Sequence, residues 1–203
     1  KGVPAASIML ATFTNKAGRE LEERISRVLP ADRRRGLKVG TFHSIALRGL
    51  WALDRGRWNI EACIDLSDRK SGLPPAGLLW HRILTFGDVP GTKKKGIGLQ
   101  EPEVSNYRQA VDLERSALRG LPGAEDWEGR AALAERVRLP LLIEAWALYE
   151  EAKAGMGAWD FADVLMAYHA GLVDGSVPDR ADVVIVDEAQ DNSFAQLAIA
   201  RSL

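Results

Sequence analysis

The sequence predicts an α/β fold in which a partial parallel sheet is interrupted by a mainly α-helical insertion. Three observations carry this reading. Within residues 6–53 a short apolar run, a helix-period segment and a second short apolar run follow one another, which is the order of a βαβ unit. A long middle stretch, about 54–157, offers helical patterns but no convincing strand. A strand signal returns only at "DVVIVD", 182–187.

Each element has a local reason. "ASIMLATFT" (6–14) places a buried strand over Ile8 to Phe13, apolar on both faces. "NKAGRELEERISRVL" (15–29) carries Ala17, Leu21, Ile25 and Val28 on one stripe, the mark of an amphipathic helix. Thr14 or Asn15 can cap it, and Pro30 ends it. A second strand is expected over Leu37 to Thr41, then a helix from about Ser44 to Leu53. In the middle, helical patterns lie near 76–86, 103–119, 127–138 and 140–154, with Pro140 starting a helix or kinking a longer one. Residues 160–173 read as a further amphipathic helix, with Asp160 as its cap and Phe161, Val164, Leu165 and Tyr168 inward. Ser193 caps a last helix that runs to Leu203. Three strands make a small sheet, so the chain reads as a piece of a domain.

Composition excludes several classes. At 203 residues, 46% hydrophobic and 27% charged, the chain can bury a core and is not disordered. No apolar run approaches the roughly 20 residues of a membrane span, and no secretion signal is readable. No membrane partner and a cytoplasmic location are therefore expected. Cys63 is the single cysteine, so an internal disulfide or multi-cysteine zinc site is excluded. The net charge is −1, yet residues 1–39 carry nine Lys/Arg against four Asp/Glu. This basic segment fits an anionic partner, or simply a solvated helix face with the loop run Arg33-Arg34-Arg35.

The chemistry concentrates in "VIVDEAQD", 184–191. A strand buried on both faces, as Val183 to Val186 is expected to be, can deliver acidic residues only at its end. In open parallel sheets that end faces the ligand crevice. Asp187 suits a hydrated Mg²⁺, which takes one or two carboxylates plus phosphate oxygens. Glu188 can orient or deprotonate a water, and Gln190 can sense that water or a γ-phosphate. Asp191 is expected to make a structural hydrogen bond or cap the following helix. The plainer reading is that Asp187 and Glu188 only end a strand. A phosphate-cradling loop, G-x-x-x-x-G-K-[ST], does not occur in the sequence. "GTKKKGIG" (91–98) has the wrong order and no preceding strand. It remains as an exposed basic loop, for nucleic-acid backbone or for solvent.

Three segments in order resemble superfamily 1 helicases of the UvrD/Rep/PcrA type. "ATFTNKAGRELEERI" (11–25) resembles helicase motif Ia, "VGTFHSIALRGL" (39–50) motif Ib, and "VIVDEAQDNS" (184–193) motif II. "WDFADVL" (159–165) resembles the segment before motif II. The resemblance implies a partial RecA-like ATPase domain over 1–40 and 177–203, with a helical insertion subdomain over 41–176. It implies an ATP- and Mg²⁺-dependent motor that translocates on single-stranded DNA and unwinds duplex DNA. Asp187 would be the magnesium ligand, Glu188 the catalytic base, and Gln190 the link between nucleotide and DNA. Thr12, Phe13, Thr14, Asn15 and Lys16, with Thr41, His43 and Ser44, would line the DNA path. The alternatives are core packing for Phe13 and a packed junction residue for His43. The chain departs from the family pattern in lacking the phosphate loop and in reading DEAQD, with Ala189, for the usual DEFQD. It is therefore expected to be an internal fragment of the first motor domain, inactive as an ATPase by itself. The parent is a helicase, the helicase part of a helicase–nuclease, or an inactive binding scaffold. Oligomeric state is left open.

Overall fold

The computed structural model describes residues 2–66, 71–117 and 137–203. Three strands, β1 (Ile8–Thr12), β2 (Lys38–Thr41) and β3 (Val183–Val186), form a parallel sheet in the order β2-β1-β3. The registers pair Thr12 with Thr41 and Ala11 with Val186. β1 is central, and Met9, Leu10, Ala11 and Thr12 are buried, as its apolar run predicts. β3 departs from expectation. Among the described residues it pairs on one side only, and Ile185 is 54% exposed, so it is not buried on both faces.

The helices follow the sequence with shifts at their ends. β1 stops at Thr12, so Phe13 lies outside it. α1 (Asn15–Val28) is capped by Thr14, whose Oγ1 accepts from the Ala17 amide at 3.1 Å. Its stripe is shallower than expected: Ala17, Leu21 and Ile25 are half-buried and Val28 is 80% exposed. The buried position is Gly18. A Cβ there would lie 3.2 Å from Thr12 Oγ1 and 3.5 Å from the Gly40 Cα, so the missing side chain sets how closely α1 sits on the sheet. α2 (Phe42–Leu53) starts two residues before the expected Ser44, because the Thr41 hydroxyl accepts from the Ser44 amide and caps it. α7 (Phe194–Ser202) has a full capping box between Ser193 and Gln196, so the cap is Ser193 and not Asp191.

The chain divides into two compact units, 1–55 with 164–203, and 56–163. α2 and most of α6 (Phe161–Asp174) thus group with the sheet, whereas the sequence reading placed 41–176 together as the insertion. The reason for α2 is its apolar face: Phe42, Ile45, Ala46 and Leu50 are buried.

The second unit contains α3 (Ala76–Leu84), α4 (Val104–Ser116) and α5 (Leu142–Met156). α5 begins after Leu141, not at Pro140. The helical pattern near 127–138 falls almost wholly outside the described residues. Trp80 stacks on Tyr149 with centroids 4.6 Å apart, within a core that includes Leu79, Ile83, Val111 and Trp146. The "GTKKKGIG" segment is tied down by its backbone: Ile97 donates to Ile83 O and Leu99 to Leu84 O, both at 2.8 Å, satisfying carbonyls at the end of α3.

A charged cluster is buried beside this core. Arg115 Nη1 meets Asp160 Oδ2 at 2.5 Å, Lys153 Nζ meets the same oxygen at 2.9 Å, and Tyr149 donates to it at 3.0 Å. Arg115 and Lys153 also reach Asp163. Asp160 and Asp163 cap each other's amides at 2.9 Å, which starts α6 as expected. Burial alone would raise the Asp160 carboxyl, but Arg115 and Lys153 outweigh it and hold it well below the usual carboxylate range.

Two predictions follow from this packing. A helical Gly→Ala change ordinarily stabilises by about 1 kcal/mol. At Gly155 a Cβ would lie 1.8 Å from the Gly91 carbonyl oxygen, so overpacking of about 1–3 kcal/mol prevails. Gly155→Ala is expected to lower the melting temperature, measured by circular dichroism. Asp160→Asn leaves two buried cations short of a partner and is expected to destabilise by about 3–5 kcal/mol at pH 7. Because the folded carboxyl titrates below its unfolded value, its contribution is present above about pH 4 and is lost as pH falls further. The gap between wild type and Asp160→Asn should therefore narrow below pH ~4, which urea titrations at several pH values would read.

Candidate nucleotide and nucleic-acid site

All expected site residues lie at or just beyond the carboxyl ends of the three strands. Because the strands are parallel, those ends share one edge of the sheet. Thr12 stands beside Thr41, and one step past the Ala11–Val186 pair the Asp187 amide donates to Ala11 O at 2.9 Å. Asp187 is thus level with the start of the β1–α1 turn.

At the acidic end, Asp187, Glu188 and Gln190 are exposed. Glu188 sits in the left-handed region, φ 49 and ψ 52, and opens a 3-10 turn over Ala189–Asp191. Gln190 Nε2 donates to Glu188 Oε2 at 2.5 Å. The Glu188 carbonyl accepts from the Asp191 amide at 2.9 Å and from Asn192 Nδ2 at 3.0 Å. Among the described residues no group of three or more His, Cys, Asp or Glu could hold a metal. The donors present fit a hydrated Mg²⁺ that takes one or two carboxylates and completes its shell from phosphates and water, not an all-protein cage.

At the two strand-to-helix junctions the expected residues separate by exposure. Phe13 is 52% exposed, which argues against a core role. Thr14, Asn15 and Lys16 are also exposed. His43 and Ser44 are half-buried. Thr12 and Thr41 are only 2% and 8% exposed, so they shape the junctions from inside. Thr12 Oγ1 donates to Thr14 O at 3.1 Å, and Ser44 Oγ donates to Thr41 O at 2.9 Å. Those hydroxyl protons are committed to the backbone. Thr14 Oγ1 accepts in its cap, which leaves its proton free to donate outward. Two helix N-termini, those of α1 and α2, also stand at this edge and favour anions.

Three contributors were not read from the sequence. Gly40, at φ 150, would push a Cβ to 2.5 Å from Ser44 Oγ. Arg48 fixes the β2–α2 junction by donating to Val39 O at 2.9 Å and to Ser44 O at 3.1 Å; its spacing of four from Ser44 was the available signal. Asn192 is the third. Cys63 is no nucleophile, since it is buried and burial pushes its thiol up to about 12.

Comparison with known proteins places the chain in a family. The family described as the UvrD/REP helicase N-terminal domain matches residues 1–203. The chain is 46% identical over 213 residues to ATP-dependent DNA helicase Rep of Salmonella typhimurium, covering all of this chain and 28% of that protein. It is 28% identical over 213 residues to ATP-dependent DNA helicase UvrD1 of Mycobacterium bovis, covering all of this chain and 25% of that protein. It is 25% identical over 218 residues to DNA helicase II of Salmonella typhimurium, covering 97% of this chain and 25% of that protein. The chain thus spans about a quarter of the length of the curated relatives it matches. With its whole length matched and its motifs gathered on one sheet edge, the chain belongs to the UvrD/REP helicase N-terminal domain family.

Proposed function

We propose that this chain is part of the first motor domain of an ATP-dependent DNA helicase. The parent translocates on single-stranded DNA and unwinds duplex DNA in replication, repair or recombination, in the cytoplasm. One observation carries the reading: parallel pairing brings the acidic end of β3 level with the β1–α1 and β2–α2 junctions. In this scheme Asp187 holds Mg²⁺ of the bound nucleotide. Bound Mg²⁺ would neutralise charge on the phosphates undergoing transfer. Glu188 takes a proton from the attacking water, and Gln190 holds the Glu188 carboxylate and senses the nucleotide. Phe13 stacks on a base, while Thr14, Asn15, Lys16 and the α1 and α2 amides hold phosphates. His43 borders the same path.

Glu188→Gln in the full-length protein is expected to lower DNA-stimulated ATP turnover by about a hundredfold or more, with ATP still bound. Retained turnover would remove Glu188 from its role. The isolated chain has no G-x-x-x-x-G-K-[ST] segment and is expected to show no turnover. For DNA contact, binding of a labelled single-stranded oligonucleotide should weaken with salt by about 0.7 log units per phosphate for each tenfold rise. Lys16→Ala should reduce that slope by about one phosphate's worth. A slope unchanged by Lys16→Ala would take that residue off the path.

A further inference from the structure

We propose that Asn192 is a positioning residue for Glu188. It acts by holding the Glu188 backbone in the left-handed turn that aims its carboxylate. This rests on the reading of Glu188 as the base, and Asn192 itself touches none of the reacting groups.

The argument starts at the end of β3. Asp187 still follows the sheet, since its amide bonds Ala11 O at 2.9 Å. One residue later the chain turns to φ 49 and ψ 52 at Glu188. Residues with a Cβ avoid this region, and glutamate lacks the short side chain that lets Asn or Asp offset it. Such a conformer persists only where the surroundings hold it.

Two hydrogen bonds to the Glu188 carbonyl do so. The bond from the Asp191 amide, 2.9 Å, closes the 3-10 turn and would come from any residue with an N–H. The bond from Asn192 Nδ2, 3.0 Å, is specific to the side chain. Its geometry has a cost, because Asn192 Oδ1 is buried with no partner among the described residues. The carbonyl of Glu188 dictates that orientation. A flipped amide would set oxygen against oxygen. Gln190 Nε2 meets the Glu188 carboxylate at 2.5 Å, so the residue is held at both ends, backbone by Asn192 and carboxylate by Gln190.

Removing the Asn192 donor lets residue 188 relax toward ordinary backbone regions and swings its carboxylate. Asp187 stays locked to Ala11 O. The loss should therefore fall on the chemical step and spare nucleotide binding. In the full-length protein, Asn192→Ala and the isosteric, non-donating Asn192→Asp are both expected to lower kcat for DNA-stimulated ATP hydrolysis by about tenfold or more. KM for ATP should stay within about twofold, since ground-state contacts are unchanged. Asn192→Ser, which keeps a hydroxyl donor, should recover part of the loss. Wild-type kcat in both the Ala and Asp variants overturns the proposal, as does a loss carried by KM alone. A second readout does not depend on catalysis. Glycine has no Cβ penalty at φ 49, so Asn192→Ala should lower the melting temperature less in a Glu188→Gly background than in wild type. Equal losses in the two backgrounds overturn the proposal. Full turnover in Glu188→Gln would instead sink the base assignment, leaving the thermal comparison to judge Asn192 alone.

Discussion

β1 is paired in parallel on both edges, and the candidate site depends on this. Its register with β2 and β3 brings Thr41, Thr12 and Asp187 to one level, although they are far apart in sequence. A register slip of one residue would also turn the side chains of β1 to the opposite face. The close seating of α1 at Gly18, over Thr12 and Gly40, fixes the other side of the same junction. Backbone pairing sets the height of the site, and Gly18 sets how near the first helix lies to it.

The helical unit solves a different problem. Arg115, Lys153 and Asp160 are each 3% exposed or less, and desolvating such groups is expensive. The cluster is tolerable because every member has several partners. Asp160 receives an arginine, a lysine and a tyrosine while also capping α6. Nearby, Asp65 meets Arg108 at 2.6 Å and accepts from the Phe161 amide at 2.9 Å. The start of α6 is thus specified by directional bonds more than by apolar area, and directional bonds discriminate against small shifts in register.

Much of this was legible in the sequence, for definable reasons. β1 was readable because an apolar run on both faces means central burial, and α1 because Thr14 and Pro30 mark its ends. Asp160 as a cap followed from its place before an apolar helix. What the sequence hid depended on neighbours. The exposure of Ile185 reflects which strands flank β3, and no local pattern states that. Arg115 and Lys153 look like members of solvated faces until their carboxylates are seen across the fold. Thr12 and Thr41 carry hydroxyls that suit phosphate, and their burial is a property of the packed junction that no local pattern states. The left-handed Glu188 was hidden because nothing in the letter E signals positive φ.

The geometry also constrains how the acidic end and the nucleic-acid edge can influence one another. Asp187 connects to Phe13 by one hydrogen bond, to Ala11 O, and then through Thr12, the last residue of β1. Thr12 spends its hydroxyl on Thr14 O, so the turn that presents Phe13 is stiffened from within. β1 has the most buried residues of the three strands. Motion of Asp187 relative to Phe13 must therefore break the bond to Ala11 or bend a strand held on both edges, and breaking one hydrogen bond is the smaller change. Glu188 lies beyond that bond, in a turn held by side chains, and can shift without disturbing β1. Coupling through this edge would thus divide unequally, with Asp187 moving as part of the sheet and Glu188 as part of the turn.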